Sequence, residues 1–278
     1  MELLGVGDRA FSIFTGDAKP PGASTASAPL SDHVDGGTKA GAASQWEGLA
    51  ADGLGRAFVL QEHPGDESQP SHVFVLAPDF DERVAVIALA VGDDGSNWKR
   101  AWRKHENARG EALVLLRDAR LLVAKQKDPV RFIEFGPPGA RPAGLGASRF
   151  LGNESFELPS EPFLEFEPLC SWGLAKRDRD ELRTVNDLAA FDGRLYAISR
   201  ESRLITRLEA SVRPDEGSVG IECSWSVPTA IRNPEGLVVL DGLLPIVADD
   251  LSGDEDTGGP NIFLLSDLGA DRATFADR

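Results

Sequence analysis

Four stretches of the chain repeat one order of polar and apolar positions: EGLAADGLGRAFVLQE (47–62), EALVLLRDARLLVAKQ (111–126), NDLAAFDGRLYAISRE (186–201) and EGLVVLDGLLPIVADD (235–250). A fainter fifth copy is ELLGVGDRAFSIFTGD (2–17). Each copy is a polar residue, a five-residue apolar run, a turn rich in Gly or Asp, and a second apolar run. That order predicts a β-hairpin, with Asp192-Gly193 and Asp241-Gly242 supplying residues that tolerate positive φ. More short strands follow each hairpin: HVFVLAP and RVAVIALAV, then VRFIEFG and FLEFEPLCSW, then LITRLEA and GIECSWSV, then NIFLLSD. A hairpin plus two further antiparallel strands, recurring every 50 to 75 residues, is the layout of a β-propeller blade.

The fold class is therefore all-β: a β-propeller of five blades. Ambiguous strands between 128 and 185 leave four or six open. The N-terminal hairpin would join the last unit and close the ring, because closure removes exposed sheet edges. A β-sandwich also alternates short strands and turns, but it gives no reason for a polar group before the first strand of every unit. Helical spacing occurs only in SNWKRAWRKHENAR (96–109), where Trp98 and Trp102 stand four apart. Residues 1–278 read as a single domain. Within it, 16–45 has 21 of 30 positions as Gly, Ala, Ser, Thr or Pro and predicts a long mobile loop.

Composition narrows the setting. Of 278 residues, 41% are apolar and 27% charged, a soluble globular profile. The longest apolar run, Val84 to Val91, is too short to cross a bilayer. Asp8 and Arg9 fall where a secretion signal would be apolar; with Met1 as the native start, this predicts a cytoplasmic protein. Forty-five acids against 29 bases give a net charge of −16, which disfavours nucleic-acid and anionic-membrane partners. The two cysteines, Cys170 and Cys223, open near-identical words, CSWGL and CSWSV. Equivalent positions in neighbouring blades stand too far apart for a disulfide, so both are expected as free buried thiols of a monomer.

In a propeller the first strand of each blade lines the channel, and its start shares a face with the end of the second strand. Glu47, Glu111, Asn186 and Glu235 start the first strands. Gln61-Glu62, Lys125-Gln126, Ser199-Arg200 and Asp249-Asp250 end the second. These groups should ring one mouth of the channel. Converging carboxylate and amide oxygens suit a hard cation such as Ca²⁺; capping of strand ends by the same side chains is the other reading. Asp254, Glu255 and Asp256 add carboxylates on this face, without the spacing of an EF-hand loop.

With PEGL…VADD, WEGL…LQE and VNDL between them, the chain resembles the propellers of the gluconolactonase/regucalcin family, the SdiA-regulated family and the esterase-like phytase family. In the gluconolactonase-like group a Glu at a strand start, two Asn and an Asp hold one divalent cation in the channel. The resemblance implies that role for Glu47 or Glu235, for Asn186 and for Asp249. The second Asn has no counterpart; Asn233 lies one residue off.

Three connections opening on the same face carry the opposite charge. Residues 97–110, 175–185 and 229–234 hold ten of the bases, among them Arg103, Arg179 and Arg183, against four acids. Such a basic collar would draw in an anion, unless the bases pair within their own loops. The four histidines stand in no recognisable nucleophile context, and no Walker loop, dinucleotide fingerprint or zinc spacing is present. Two functions follow. One is a metal-dependent hydrolase of a small anionic ester or lactone. It would have Glu47, Asn186, Glu235 and Asp249 on a divalent cation, Asp249 or Glu62 as base, and Lys125, Arg200, Arg103 and Arg183 toward the anion. The other is a non-catalytic module that docks an acidic protein partner on its basic-rimmed face.

Overall fold

The computed structural model describes residues 2–7, 10–17, 26–29, 45–62, 69–80, 82–104, 109–241, 244–249 and 262–265. Side chains before residue 45 and those of 103, 104, 244 and 249 are outside that description. Strands dominate. β1 (Glu2–Gly7), β2 (Ala10–Asp17) and β3 (Ala26–Pro29) form an antiparallel sheet. β4 (Trp46–Ala51), β5 (Ala57–Gln61), β6 (Ser71–Leu76) and β7 (Arg83–Leu89) form a second meander, followed by helix α1 (Asn97–Lys104). The third unit is β8 (Gly110–Leu116), β9 (Arg120–Lys125) and β10 (Arg131–Gly136), then the short β11 (Leu145–Gly146) and the long β12 (Phe163–Leu174), which pairs with β10. The fourth holds β13 (Asp187–Phe191), β14 (Arg194–Ser199) and β15 (Leu204–Leu208), two-residue strands β16 (Ser211–Val212) and β17 (Ser218–Val219), and β18 (Ile221–Ser226). β19 (Pro234–Leu240), β20 (Leu244–Asp249) and β21 (Ile262–Leu264) end the described chain.

The four repeats are thus the hairpins β4/β5, β8/β9, β13/β14 and β19/β20. One turns as predicted, at Asp192-Gly193; the β8/β9 turn does so without glycine, and Gly242 of Asp241-Gly242 lies outside the described residues. Asp192 and Gly193 have φ of 46° and 67°, and Asp118 and Ala119 have 58° and 54°, so both central residues are left-handed and the strands keep their twist. The first strands stand side by side in chain order, β1 next to β4, β4 to β8, β8 to β13 and β13 to β19. Asp187 ties the last two together: its Oδ2 accepts the Leu237 N–H at 2.8 Å.

Packing separates this arrangement from a sandwich. Every residue of β8 is buried, because both faces of its sheet are covered. Leu113 and Leu115 join Leu60, Val73 and Ile87 of the preceding sheet. Ala112, Val114 and Leu116 join Leu188, Leu195 and Ala197 of the following one. A third core unites Ile198, Ile205 and Trp225 with Leu237, Val239 and Val247. Sheets stacked face on face in succession around their first strands make a β-propeller.

Several expectations meet the structure directly. Cys170 and Cys223 are free and lie on the fourth strand of successive sheets, opposite Glu134 and Arg207, each just before a register shift. Trp98 and Trp102 are buried, and Trp102 packs against Phe135 at 5.9 Å between ring centres. The 16–45 segment is not all loop: Ala26–Pro29 pairs with β2, with Pro at the end of an outer strand, where no ladder donor is needed. Gly16 and Asp17 end β2; residues 18–25 and 30–44, and Asp250 and Asp254 to Asp256, lie outside the described residues. β12 exceeds any strand read from the sequence. Its first four residues pair parallel with β7, and its later ones antiparallel with β10. Among the described residues, no helix is long and apolar enough to cross a membrane.

Candidate functional site

The repeated word Glu-small-Leu has a structural cause. In three hairpins the pairing skips one residue, between Trp46 and Gly48, Gly110 and Ala112, and Pro234 and Gly236. The skipped residues are Glu47, Glu111 and Glu235, each bulged out of its ladder and re-aimed. The next residue is small because the chain is crowded there: a Cβ on Gly48 would come within 3.0 Å of the Leu113 N of the neighbouring first strand. The fourth hairpin differs. Asn186 precedes β13, and its Oδ1 accepts the Thr184 hydroxyl at 3.1 Å and the Arg200 N–H at 2.9 Å. Asn186 is engaged in capping its own blade.

The carboxylates crowd one another. Burial first, and then the charges of Glu47, Glu62 and Glu235, hold the Glu111 carboxyl well above the usual carboxylate range. The Gln126 amide Nε2 donates to Glu111 Oε1. Glu62, also buried, accepts the Arg109 N–H at 2.8 Å across the gap to the next hairpin. Arg200 ion-pairs with Glu235, again from one hairpin to the next. Asp249 stands opposite Pro234, beside Glu235 in the ladder. The structure thus gathers Glu47, Glu62, Glu235 and Arg200 with Glu111, which the repeat places in the same ring but to which the sequence assigns no ligand or catalytic role. The signal for Glu111 was there: it aligns with Glu47 and Glu235 in the repeat.

Other expected residues have different surroundings. Lys125 is fully buried, donates to the carbonyls of Lys127 and Asp128, and is brought down to about 8 by burial. It braces the β9–β10 turn rather than facing an anion. Arg183 is exposed and pairs with Glu201 at 3.6 Å. Arg103 lies on α1, with its side chain outside the described residues. Much of the basic collar is paired nearby: Lys99 with Asp94 at 2.9 Å, Arg177 with Asp178 at 3.4 Å. The Arg109 guanidinium turns inward to the Gln69 carbonyl at 2.7 Å. Among the described residues, no three His, Cys, Asp or Glu side chains stand where they could hold a metal ion; Asp249's carboxylate is not in that set.

Fold and site define a β-propeller with carboxylates gathered where its first strands begin. No protein-family model and no curated protein matches the chain. Among solved structures, it is similar to a Bacteroides thetaiotaomicron protein of unknown function at 12% identity, over 86% of this chain and 52% of that one, with a TM-score of 0.39. The chain spans about half of that protein's length. It is also similar to the PQQ-bound aldose sugar dehydrogenase of Streptomyces coelicolor (12% identity, 94% of this chain and 73% of that one, TM-score 0.40). A third is the Myxococcus xanthus glutaminyl cyclase (16% identity, 73% and 85%, TM-score 0.28). At such identities those activities stay with those proteins.

Proposed function

We propose that the chain is a propeller hydrolase that takes a small anionic ester or lactone at the carboxylate-ringed mouth. A divalent cation, Ca²⁺ by the chemistry of the donors, would be held by Glu47, Glu235 and Asp249. The observation that carries this reading is the convergence of four carboxylates from three hairpins, where Glu111 is held above the usual carboxylate range first by burial and then by the charges of Glu47, Glu62 and Glu235. An all-oxygen donor set with surplus negative charge fits a hard cation. Asn186 fits less well, its amide oxygen being engaged twice. When bound, the ion would polarise the ester oxygen and acidify a water. Glu62, oriented by the Arg109 N–H, and Asp249 are the candidates to receive that water's proton. Arg200, on the rim, would orient the ligand's anionic group.

The test is a thermal melt with and without divalent ions, alongside a panel of lactones and aryl esters. Ca²⁺ should raise the melting temperature by mass action on the native state, and Asp249→Asn should abolish the rise. An unchanged melting temperature at saturating Ca²⁺, Mg²⁺ and Mn²⁺ would overturn the cation, and with it the hydrolase. One observation favours a second reading, a non-catalytic docking module: the Arg200–Glu235 pair neutralises one carboxylate with no ion at all. For that module Arg200→Ala, and not Ca²⁺, would move stability.

A further inference from the structure

Arg179 of the collar and Arg131, at the start of β10, behave unlike the paired bases. Arg131 opens β10, opposite Lys125 on one side and Gly173 on the other. Its guanidinium lies across the Gly173 backbone: a Cβ at 173 would stand 3.4 Å from Arg131 Cζ and Nη1 and 3.7 Å from Nε. Arg179 follows the short 3-10 turn Lys176–Asp178 and gives its Nε–H to the Leu174 carbonyl at 3.3 Å. The fold thus sets two guanidiniums on consecutive residues of β12.

Among the described residues, the buried Arg131 Nε has no hydrogen-bond partner. Among the described residues, no carboxylate forms an ion pair with either arginine. Two nearby acids are engaged elsewhere, Asp178 with Arg177 and the Ile221 N–H, Glu181 with the Ser224 hydroxyl, and the exposed Asp180 forms no ion pair with Arg179 among the described residues. Burial, and after it the Arg179 charge, holds Arg131 below the usual arginine range. Two like charges, the Arg131 one half desolvated, are unfavourable together until an anion arrives.

We propose that Arg131 and Arg179 form a binding site for the phosphoryl group of a small ligand. Each guanidinium is a planar fork, and one fork satisfies both oxygens of a carboxylate. A phosphoryl group offers three terminal oxygens, enough for two forks. The site stands about two strand spacings, roughly 10 Å, outward from the Glu111 bulge, since β9 lies between β8 and β10. It does not rest on the channel-mouth reading. A ligand reaching both places would carry its phosphate at that distance from the end held at the mouth.

Inorganic phosphate is the probe, followed by calorimetry and thermal melts at pH 7.5 with ionic strength held constant by NaCl. Phosphate should raise the melting temperature beyond equal-strength chloride. Sulfate, another tetrahedral dianion, should follow it, and acetate should not. Arg179→Gln changes an exposed side chain, so the protein should fold, and the dissociation constant should weaken about tenfold or more, the loss of one charge-assisted fork. Arg131→Lys keeps the charge, loses the fork and should also bind more weakly. Phosphate acting no differently from chloride, or Arg179→Gln binding it as tightly as the parent, would overturn the proposal. The Ca²⁺ response of the mouth should be the same in Arg179→Gln, so the two readings fail separately.

Discussion

Replacing Asp187 by Asn should make the protein more stable at neutral pH, and less stable in acid. Asp187 sits between two first strands, with Oδ2 on the Leu237 N–H at 2.8 Å and Oδ1 on its own neighbour's N–H, Leu188, at 2.7 Å. Burial dominates those two bonds and pushes its carboxyl from 3.8 to about 7. Below pH 3.8 the group is protonated folded or unfolded, and it costs the fold nothing. Between that value and 7 the unfolded chain ionises first, so stability falls by about 1.4 kcal/mol per pH unit. Above 7 the loss levels off near ~4 kcal/mol. Asn keeps an amide oxygen for Leu237 and removes the titration, at a cost of about 1 kcal/mol for the Leu188 contact. The variant should therefore gain on the parent by about 3 kcal/mol between pH 5 and 7. Urea unfolding across pH 5 to 8, with the slopes compared, measures this; nearer the isoelectric point of 4.7 the chain would associate. A difference between the two proteins that stays flat with pH would refute the reasoning.

Glu134→Ala should cost about 3–5 kcal/mol, as a lower urea midpoint at unchanged slope. It strands the Ala143 and Gly144 N–H groups and the Arg120 guanidinium around a fully buried site. Cys170, whose thiol donates to Glu134 at 3.2 Å, is pushed up by burial and then by that carboxylate. Iodoacetamide should modify it only after unfolding, and mass spectrometry of the unreduced protein should show two free thiols. Arg200→Ala removes a half-exposed ion pair and should cost less than about 1 kcal/mol, vanishing at 1 M NaCl.

What could be read from the chain was whatever repeats locally. The hairpins showed in alternating apolar runs and Asp-Gly turns, and the CSW words fixed Cys170 and Cys223 at matching places. The bulges did not show, because a skipped partner belongs to the pairing of two strands and leaves no mark in one. Glu47, Glu111 and Glu235 therefore read as strand starts, and nothing in the sequence marks Glu111 as the most buried of the three carboxylates. Lys125 looked like a rim cation by its place in the repeat. Only the carbonyls of Lys127 and Asp128, curling back over it, turn it inward. Arg131 carried no signal at all, since its setting comes from Gly173, forty-two positions further on. Parallel pairing of β12 with β7 was equally silent, because nothing in either strand names a partner 77 residues away.

That long strand changes how the molecule comes apart. β12 begins on the outer edge of one unit and finishes as the outer strand of the next. The usual weak seam of a repeat protein, the interface between neighbours, is here stitched by backbone hydrogen bonds. Amides of β7 and β10 should accordingly exchange with solvent in a single cooperative event, while the β19–β21 unit opens on its own. A protease nick in the exposed 92–95 stretch would sever the chain without dividing the particle, since each fragment would still hold one end of the same stitch.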